Sequence, residues 1–142
     1  LYCCTHRARG TAGTATAASF ATRIRMSQVV KSQDSSKINE LEAKKILEKI
    51  HSSDWVIALD ERGRHYSSPA IAKELEGWRE LGKDVVFIVG GANGLAPELL
   101  ERADQQLSLS SLTFPHYLVR VLIAETLYRA WSISIGHPYH RQ

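Results

Sequence analysis

Three stretches between Phe87 and Arg141 bring together residue types that a ligand pocket and a proton-transfer step require. Phe87-Ile-Val-Gly-Gly-Ala-Asn-Gly94 is an apolar run that breaks into glycines, where backbone can approach a ligand with no side chain between. Ser108-Leu-Ser-Ser-Leu-Thr-Phe-Pro115 is a second short run that ends in small polar residues. His137-Pro-Tyr-His-Arg141 gathers a base, a phenol and a fixed cation. Two strand-to-loop transitions of this kind build a nucleotide pocket from amides and carbonyls, and the tail supplies chemistry beside it.

Each motif also has a plainer reading. Gly90, Gly91 and Gly94 follow the spacing Gly-Gly-x-x-Gly, not the dinucleotide fingerprint Gly-x-Gly-x-x-Gly, and they do not follow the first strand. No phosphate-loop lysine follows a strand either, which disfavours a nucleotide-binding oxidoreductase or hydrolase. Gly94 reads as a turn or helix-entry residue. The plainer reading of the tail is a segment that docks at a dimer interface. His137-x-x-His140 lacks the cysteines or acidic cluster that would complete a metal shell, so no metal is expected.

Alternating elements must position these motifs. Residues 26–31 form a weak strand, and Ile38, Leu41, Leu47 and Ile50 mark a helix over about 37–51, capped by Ser35 or Ser36. Trp55-Val-Ile-Ala-Leu59 is a continuous apolar run, as in a strand buried on both faces, and a polar loop follows over 60–67. Ser68-Pro69 opens a helix whose Ile71, Leu75 and Trp78 share a face and which Gly82 stops. Residues 85–89 are the next buried strand. A helix over about 97–103 leads to a strand at 106–109, and the last helix spans about 116–135 before Gly136 and Pro138. This order predicts an α/β fold with a mostly parallel sheet covered by helices on both faces. In such sheets a ligand lies beyond the strands' carboxyl ends, which places Leu59-Asp60, Gly90-Gly91 and residues 109–114 around one crevice.

The chain has 142 residues, 44% hydrophobic and 23% charged, ordinary values for one globular domain. No apolar run has the ~20 residues of a membrane span. Only two cysteines occur, adjacent at Cys3-Cys4, so no disulfide framework is implied and a cytoplasmic location is expected. The pI is near 9.0. Residues 1–36 hold five basic side chains and one acid, whereas residues 37–142 hold 13 basic and 14 acidic groups, a net of −1. Contact with RNA must therefore come from a local patch. Residues 1–18 form a basic Thr/Ala-rich leader, with the composition of a transit peptide and equally of a non-native end. They are expected to carry no function, leaving residues 19–142 as a single domain.

In combination, Phe87-Ile-Val-Gly-Gly-Ala-Asn-Gly-Leu95, Leu107-Ser-Leu-Ser-Ser-Leu-Thr-Phe-Pro-His116, Leu127-Tyr-Arg-Ala-Trp131 and His137-Pro-Tyr-His-Arg141 resemble the ribosomal RNA large-subunit methyltransferase H family. These are SPOUT-class enzymes that methylate N3 of a pseudouridine in 23S rRNA. The resemblance covers residues 37–142 well and 19–36 weakly. It implies a C-terminal trefoil knot, S-adenosylmethionine as methyl donor and a homodimer acting on the assembled ribosome. Carried over by position, the cofactor contacts fall on Leu59, Gly90, Gly91, Leu109, Ser110, Ser111, Leu112, Thr113 and Phe114. Members of that family open with an apolar strand ending in Val-Gly-Lys, and Leu1–Ala18 departs from this pattern.

Such a reaction would need the N3 proton removed and the donor methyl held in line. His140 is the tail's best proton acceptor near neutral pH, Arg141 suits the growing charge on the base or a phosphate, and Tyr139 suits stacking on a flipped base. His116 either orients the last helix or contacts substrate. Arg120 and Arg129 are candidate RNA contacts, although Arg129 also stands four residues from Glu125, at ion-pair spacing. A non-enzymatic ribosome-binding factor is the remaining alternative.

Overall fold

Every side chain of the strand Val85–Val89 is buried, so both its edges and both its faces must be covered. The structure, a computed structural model, describes residues 24–28, 43–90 and 94–139. Its four strands are β1 (Ile24–Gln28), β2 (Trp55–His65), β3 (Val85–Val89) and β4 (Gln105–Ser108). They form one parallel sheet in the order β1-β3-β2-β4. Val85 faces Ile24 on one side and Trp55 on the other, which sets the register of the centre.

Alternation along the strands divides the interior into two cores. Ile57, Leu59, Val85, Phe87, Val89 and Leu107 point to the face covered by α2 (Ser68–Glu80) and α4 (His116–Ser134). Val56, Ala58 and Ile88 point to the other, against helical residues 43–47 (α1), Leu95 and Leu99 of α3 (Pro97–Arg102). On the first face, Trp78 meets the Phe87 ring edge-on at 5.8 Å. Its indole N–H donates to Gln105 Oε1 at 3.0 Å, so the ring is packed and its polar atom satisfied.

The strands' amino ends are tied by charge. Asp54, only 4% exposed, accepts from Arg25 Nη2 at 2.9 and 3.0 Å and from the His51 N–H at 2.9 Å. The same guanidinium reaches Asp84 Oδ2 at 3.3 Å. Asp104 Oδ2 accepts the Val56 N–H at 2.8 Å, joining β4's entry to β2.

The expected parallel sheet with helices on both faces is the observed architecture, with local differences. The first strand lies at Ile24–Gln28, two residues earlier than its apolar pattern suggests. Of the helix expected over 37–51, residues 43–47 are helical and 48–50 turn, while 37–42 and the leader 1–18 lie outside the described residues. Ser67, one residue before the expected cap, accepts the Ala70 N–H and begins α2. Gly82 and Gly136 end α2 and α4 at φ +63° and +66°.

The larger correction concerns the polar segment after Leu59, which is strand as far as His65. Leu107 is the partner of Leu59 and again of Arg64, so residues 60–63 bulge from a ladder that then resumes. The bulge needs Gly63. A Cβ there would lie 2.6 Å from the Leu107 carbonyl carbon, within backbone that cannot yield. Gly77 is the opposite case, on an exposed turn of α2 with nothing within 4 Å of its Cβ direction. Gly63→Ala should therefore destabilise by about 1–3 kcal/mol, whereas Gly77→Ala should stabilise by about 0.5–1 kcal/mol. Urea denaturation of the two variants checks the opposite signs.

Candidate active site

Because all four strands run the same way, their carboxyl ends open on one side, and a crevice of about 800 Å³ lies there. β2 contributes Leu59 and the first residues of its bulge, Asp60, Glu61 and Arg62. The bulge is braced by an Asx turn, in which Asp60 Oδ1 accepts the Arg62 N–H at 2.9 Å. β3 contributes Val89 and Gly90, and Gly94 closes that wall at φ +79°.

The third wall comes from the loop between β4 and α4. Ser108 Oγ donates to the Ser110 carbonyl at 3.0 Å, and Ser110 Oγ accepts the Leu112 N–H at 3.0 Å. Two consecutive serine bonds thus fold the loop back on itself, the local structure that small hydroxyl residues favour. Pro115 halts it, and α4 begins with His116 in the crevice wall and Val119 one turn later. Leu112 lines the opening while 68% exposed.

Of the residues expected around a cofactor, Leu59, Gly90, Leu109, Ser110, Leu112, Thr113 and Phe114 line this crevice. Ser111 is exposed and stands outside its wall, and Gly91 lies outside the described residues. Gly90 has a further reason to be glycine: a Cβ would sit 3.2 Å from both the Gly94 carbonyl carbon and Leu95 Cγ. The missing side chain therefore serves the packing of its own loop as well as access to the crevice. Among the three residues expected to contact RNA, His116 is in the wall. Arg120 is half-buried on the next turn of α4, and Arg129 is bonded through Nε (2.9 Å) and Nη2 to Glu125. Glu125 holds the Arg129 guanidinium still further in its protonated range, first by the hydrogen bond and then by charge.

Tyr139 is not at the crevice. Its ring meets Tyr128 at 4.8 Å, and its hydroxyl donates to Glu125 Oε1 at 3.4 Å. Glu125 is nine residues beyond His116, or about 13 Å along the helix axis. Of the expected catalytic trio, Tyr139 lies on the outer face of α4, and His140 and Arg141 lie outside the described residues. Sequence patterns did not disclose Val119 as a wall residue or Glu125 and Tyr128 as tail contacts. The only signal was helical spacing from His116 and Arg129. Among the described residues, no group of three His, Cys, Asp or Glu side chains stands close enough to share a metal ion. No helix there is long and apolar enough to cross a membrane.

A family model described as "Predicted SPOUT methyltransferase" matches residues 10–140. The chain belongs to the SPOUT methyltransferase family. The family implies the C-terminal trefoil knot, and the observed α/β sheet agrees with it. The chain is 58% identical over 88 residues to a ribosomal RNA large subunit methyltransferase H of Alkalilimnicola ehrlichii, covering 62% of this chain and 57% of that relative. It is 49% identical over 112 residues to the protein of that name from Hahella chejuensis, covering 79% and 72%. For the Burkholderia vietnamiensis protein of that name the figures are 58% over 86 residues, 61% and 55%. The chain thus spans little more than half the length of two of these SPOUT relatives.

The serine brace gives this site a direct test. Ser110→Ala should speed amide exchange at Leu112 about five-fold, the loss of one modest hydrogen bond, while amides of β3 keep their protection. Unchanged exchange at Leu112 would mean that the loop is held by its neighbours and not by Ser110.

Proposed function

We propose that this SPOUT chain transfers a methyl group from S-adenosylmethionine to N3 of a pseudouridine in 23S rRNA, acting as a homodimer on the assembled ribosome in the cytoplasm. The observation that carries the reading is the crevice at the strands' carboxyl ends, walled by Leu59, Gly90 and the braced loop from Leu109 to Phe114. These are the positions that the family resemblance nominates for the cofactor. Its volume falls within the usual range for small-molecule sites. The chemistry of the wall fits as well, since apolar Leu59, Val89 and Leu109 suit a purine. The Asp60 and Glu61 carboxylates at the rim suit a ligand that carries an ammonium and a sulfonium.

When bound, S-adenosylmethionine supplies an electrophilic methyl group on a cationic sulfur. The protein's own work is to orient, desolvate and move a proton. Loop 108–114 and the Asp60–Arg62 bulge would hold the donor, which would make methyl transfer a positioned encounter. His140 would accept the N3 proton of the flipped base, freeing the N3 lone pair for the methyl group that S-adenosylmethionine would supply. Arg141 offsets charge on the neighbouring carbonyl oxygens, and Tyr139 supports the base or its approach. His116 and Arg120 stand nearer the crevice than Arg129, whose guanidinium is engaged by Glu125, and are the first RNA contacts to test.

Two features favour assembly as a pair. Tyr139 is held about 13 Å of helix away from the crevice of its own subunit. Tyr117, Val121 and Tyr128, at 73%, 62% and 43% exposure, form an apolar stripe on one side of α4. The sequence suggests Leu118, Leu122, Leu127 and Trp131 as the helix's surplus apolar residues, but the exposed ones are Tyr117, Val121 and Tyr128. Leu127 is in the core, and Leu118, Leu122 and Trp131 are half-buried.

His140→Ala should slow single-turnover methyl transfer by about 10²–10⁴ while leaving affinity for S-adenosylmethionine within about two-fold. A parental rate in that variant would remove His140 from proton transfer, and ribosome binding without transfer in the parent would favour a non-enzymatic factor. Val121→Asp should convert a dimer into a chain of 15.9 kDa by light scattering, because a charge would be buried in the stripe. A parent that is already monomeric and active would overturn the paired assembly.

A further inference from the structure

The C-terminal segment turns back on α4 at Gly136, where φ is +66°. The His137 N–H donates to the Ser132 carbonyl at 2.8 Å, and the Tyr139 N–H donates to His137 Nδ1 at 3.2 Å. The chain is thereby led to the outer side of the helix, where Tyr139 meets three groups. Tyr128 receives its ring edge-on at 4.8 Å, the Arg129 guanidinium lies 5.7 Å from the ring centre, and Glu125 Oε1 accepts its hydroxyl at 3.4 Å. Glu125 Oε1 is the shared acceptor, because it also takes Arg129 Nε and Nη2.

We infer that Glu125 is a positioning residue for the catalytic tail, acting through Tyr139, the residue directly before His140. This rests on the methyltransferase reading above. An exposed ion pair four residues apart on a helix adds little to stability, so Glu125–Arg129 has small value as a fold contact. Its geometry has a more particular consequence. Arg129 holds the Glu125 carboxylate over the Tyr139 hydroxyl, and the phenol is then pinned from its hydroxyl end and its ring face at once. His140 follows Tyr139 directly in the chain, so a wandering Tyr139 would carry the imidazole with it. Misplacement of a catalytic group by about 1 Å is enough to cost a large part of a rate. The clasp also lies beside Tyr128, at the end of the apolar stripe that a second copy would cover.

The test uses Glu125→Gln, Tyr139→Phe and the double variant in the full chain, with melting temperature and dimer mass monitored. Carboxypeptidase Y reads the clasp alone: it should release Arg141, His140 and the residue at position 139 at least five-fold faster from either single variant than from the parent. Single-turnover methyl transfer should fall about ten-fold in each single variant, with S-adenosylmethionine affinity unchanged. The double variant should be no slower than the worse single one, because both substitutions break one contact. Equal digestion of parent and variants would overturn the clasp. Faster digestion with an undiminished transfer rate, or additive losses in the double variant, would overturn its positioning role. A parent that protects its tail but transfers no methyl group would instead overturn the functional reading, and with it the catalytic part of this inference.

Discussion

Complete burial of β3 is the constraint from which the remaining architecture follows. Five apolar side chains alternate to both faces, so one row needs α2 and α4 and the other needs α1 and α3. Its backbone also needs a partner on each edge, which β1 and β2 provide in matched register. All partners are parallel, and parallel pairing gathers every carboxyl end on one side. The crevice is a by-product of that arrangement: where the strands stop, no side chain of the core extends far enough to fill the space between their loops. The amino ends face the other way and are closed by the Arg25, Asp54 and Asp84 charges.

What was legible in the sequence follows from this physics. Trp55–Leu59 and Val85–Val89 are buried on both faces, and continuous apolar runs mark such strands without help from distant residues. Ser68-Pro69 as a helix start, one residue from the observed cap Ser67, and Gly82 and Gly136 as helix ends act locally and were readable for that reason. The extension of β2 was not readable. Asp60-Glu-Arg-Gly-Arg64 has the composition of a solvated loop, and its return to strand depends on Leu107, more than forty positions away in the chain. The role of Gly63 depends on the same approach, as the second role of Gly90 depends on Gly94 and Leu95. A motif can nominate a wall residue, but which atom it touches is a property of the packed loop.

α4 illustrates how one sequence pattern can conceal three tasks. Its residues are apolar on most sides, so periodicity alone assigns no inner face. In the fold, Ile123, Leu127 and Ala130 enter the core, His116 and Val119 form crevice wall, and Tyr117, Val121 and Tyr128 remain outside. The polar residues on the last side are those that meet the tail. A helix used on every side leaves little latitude for substitution, and of its outer residues Tyr128 meets Tyr139 of the tail.

Charge distribution limits how such a protein would meet RNA. Over residues 37–142 the net charge is −1, so a long-range attractive field cannot do most of the binding. The carboxylates Asp60 and Glu61 stand at the crevice mouth beside Arg62 and His116, a rim of mixed sign that would repel a phosphate as readily as attract one. That arrangement suits a cationic small ligand inside the crevice better than a polyanion lying across it. Under the proposed function, the groups left to engage the ribosome are few and local, and the fixed cation of the tail is prominent among them. Recognition would then rest on shape and on a second subunit rather than on summed charge, with a shallow dependence on salt. Under that proposal the rim would admit a cationic donor and the tail would meet the base, a division of work by sign.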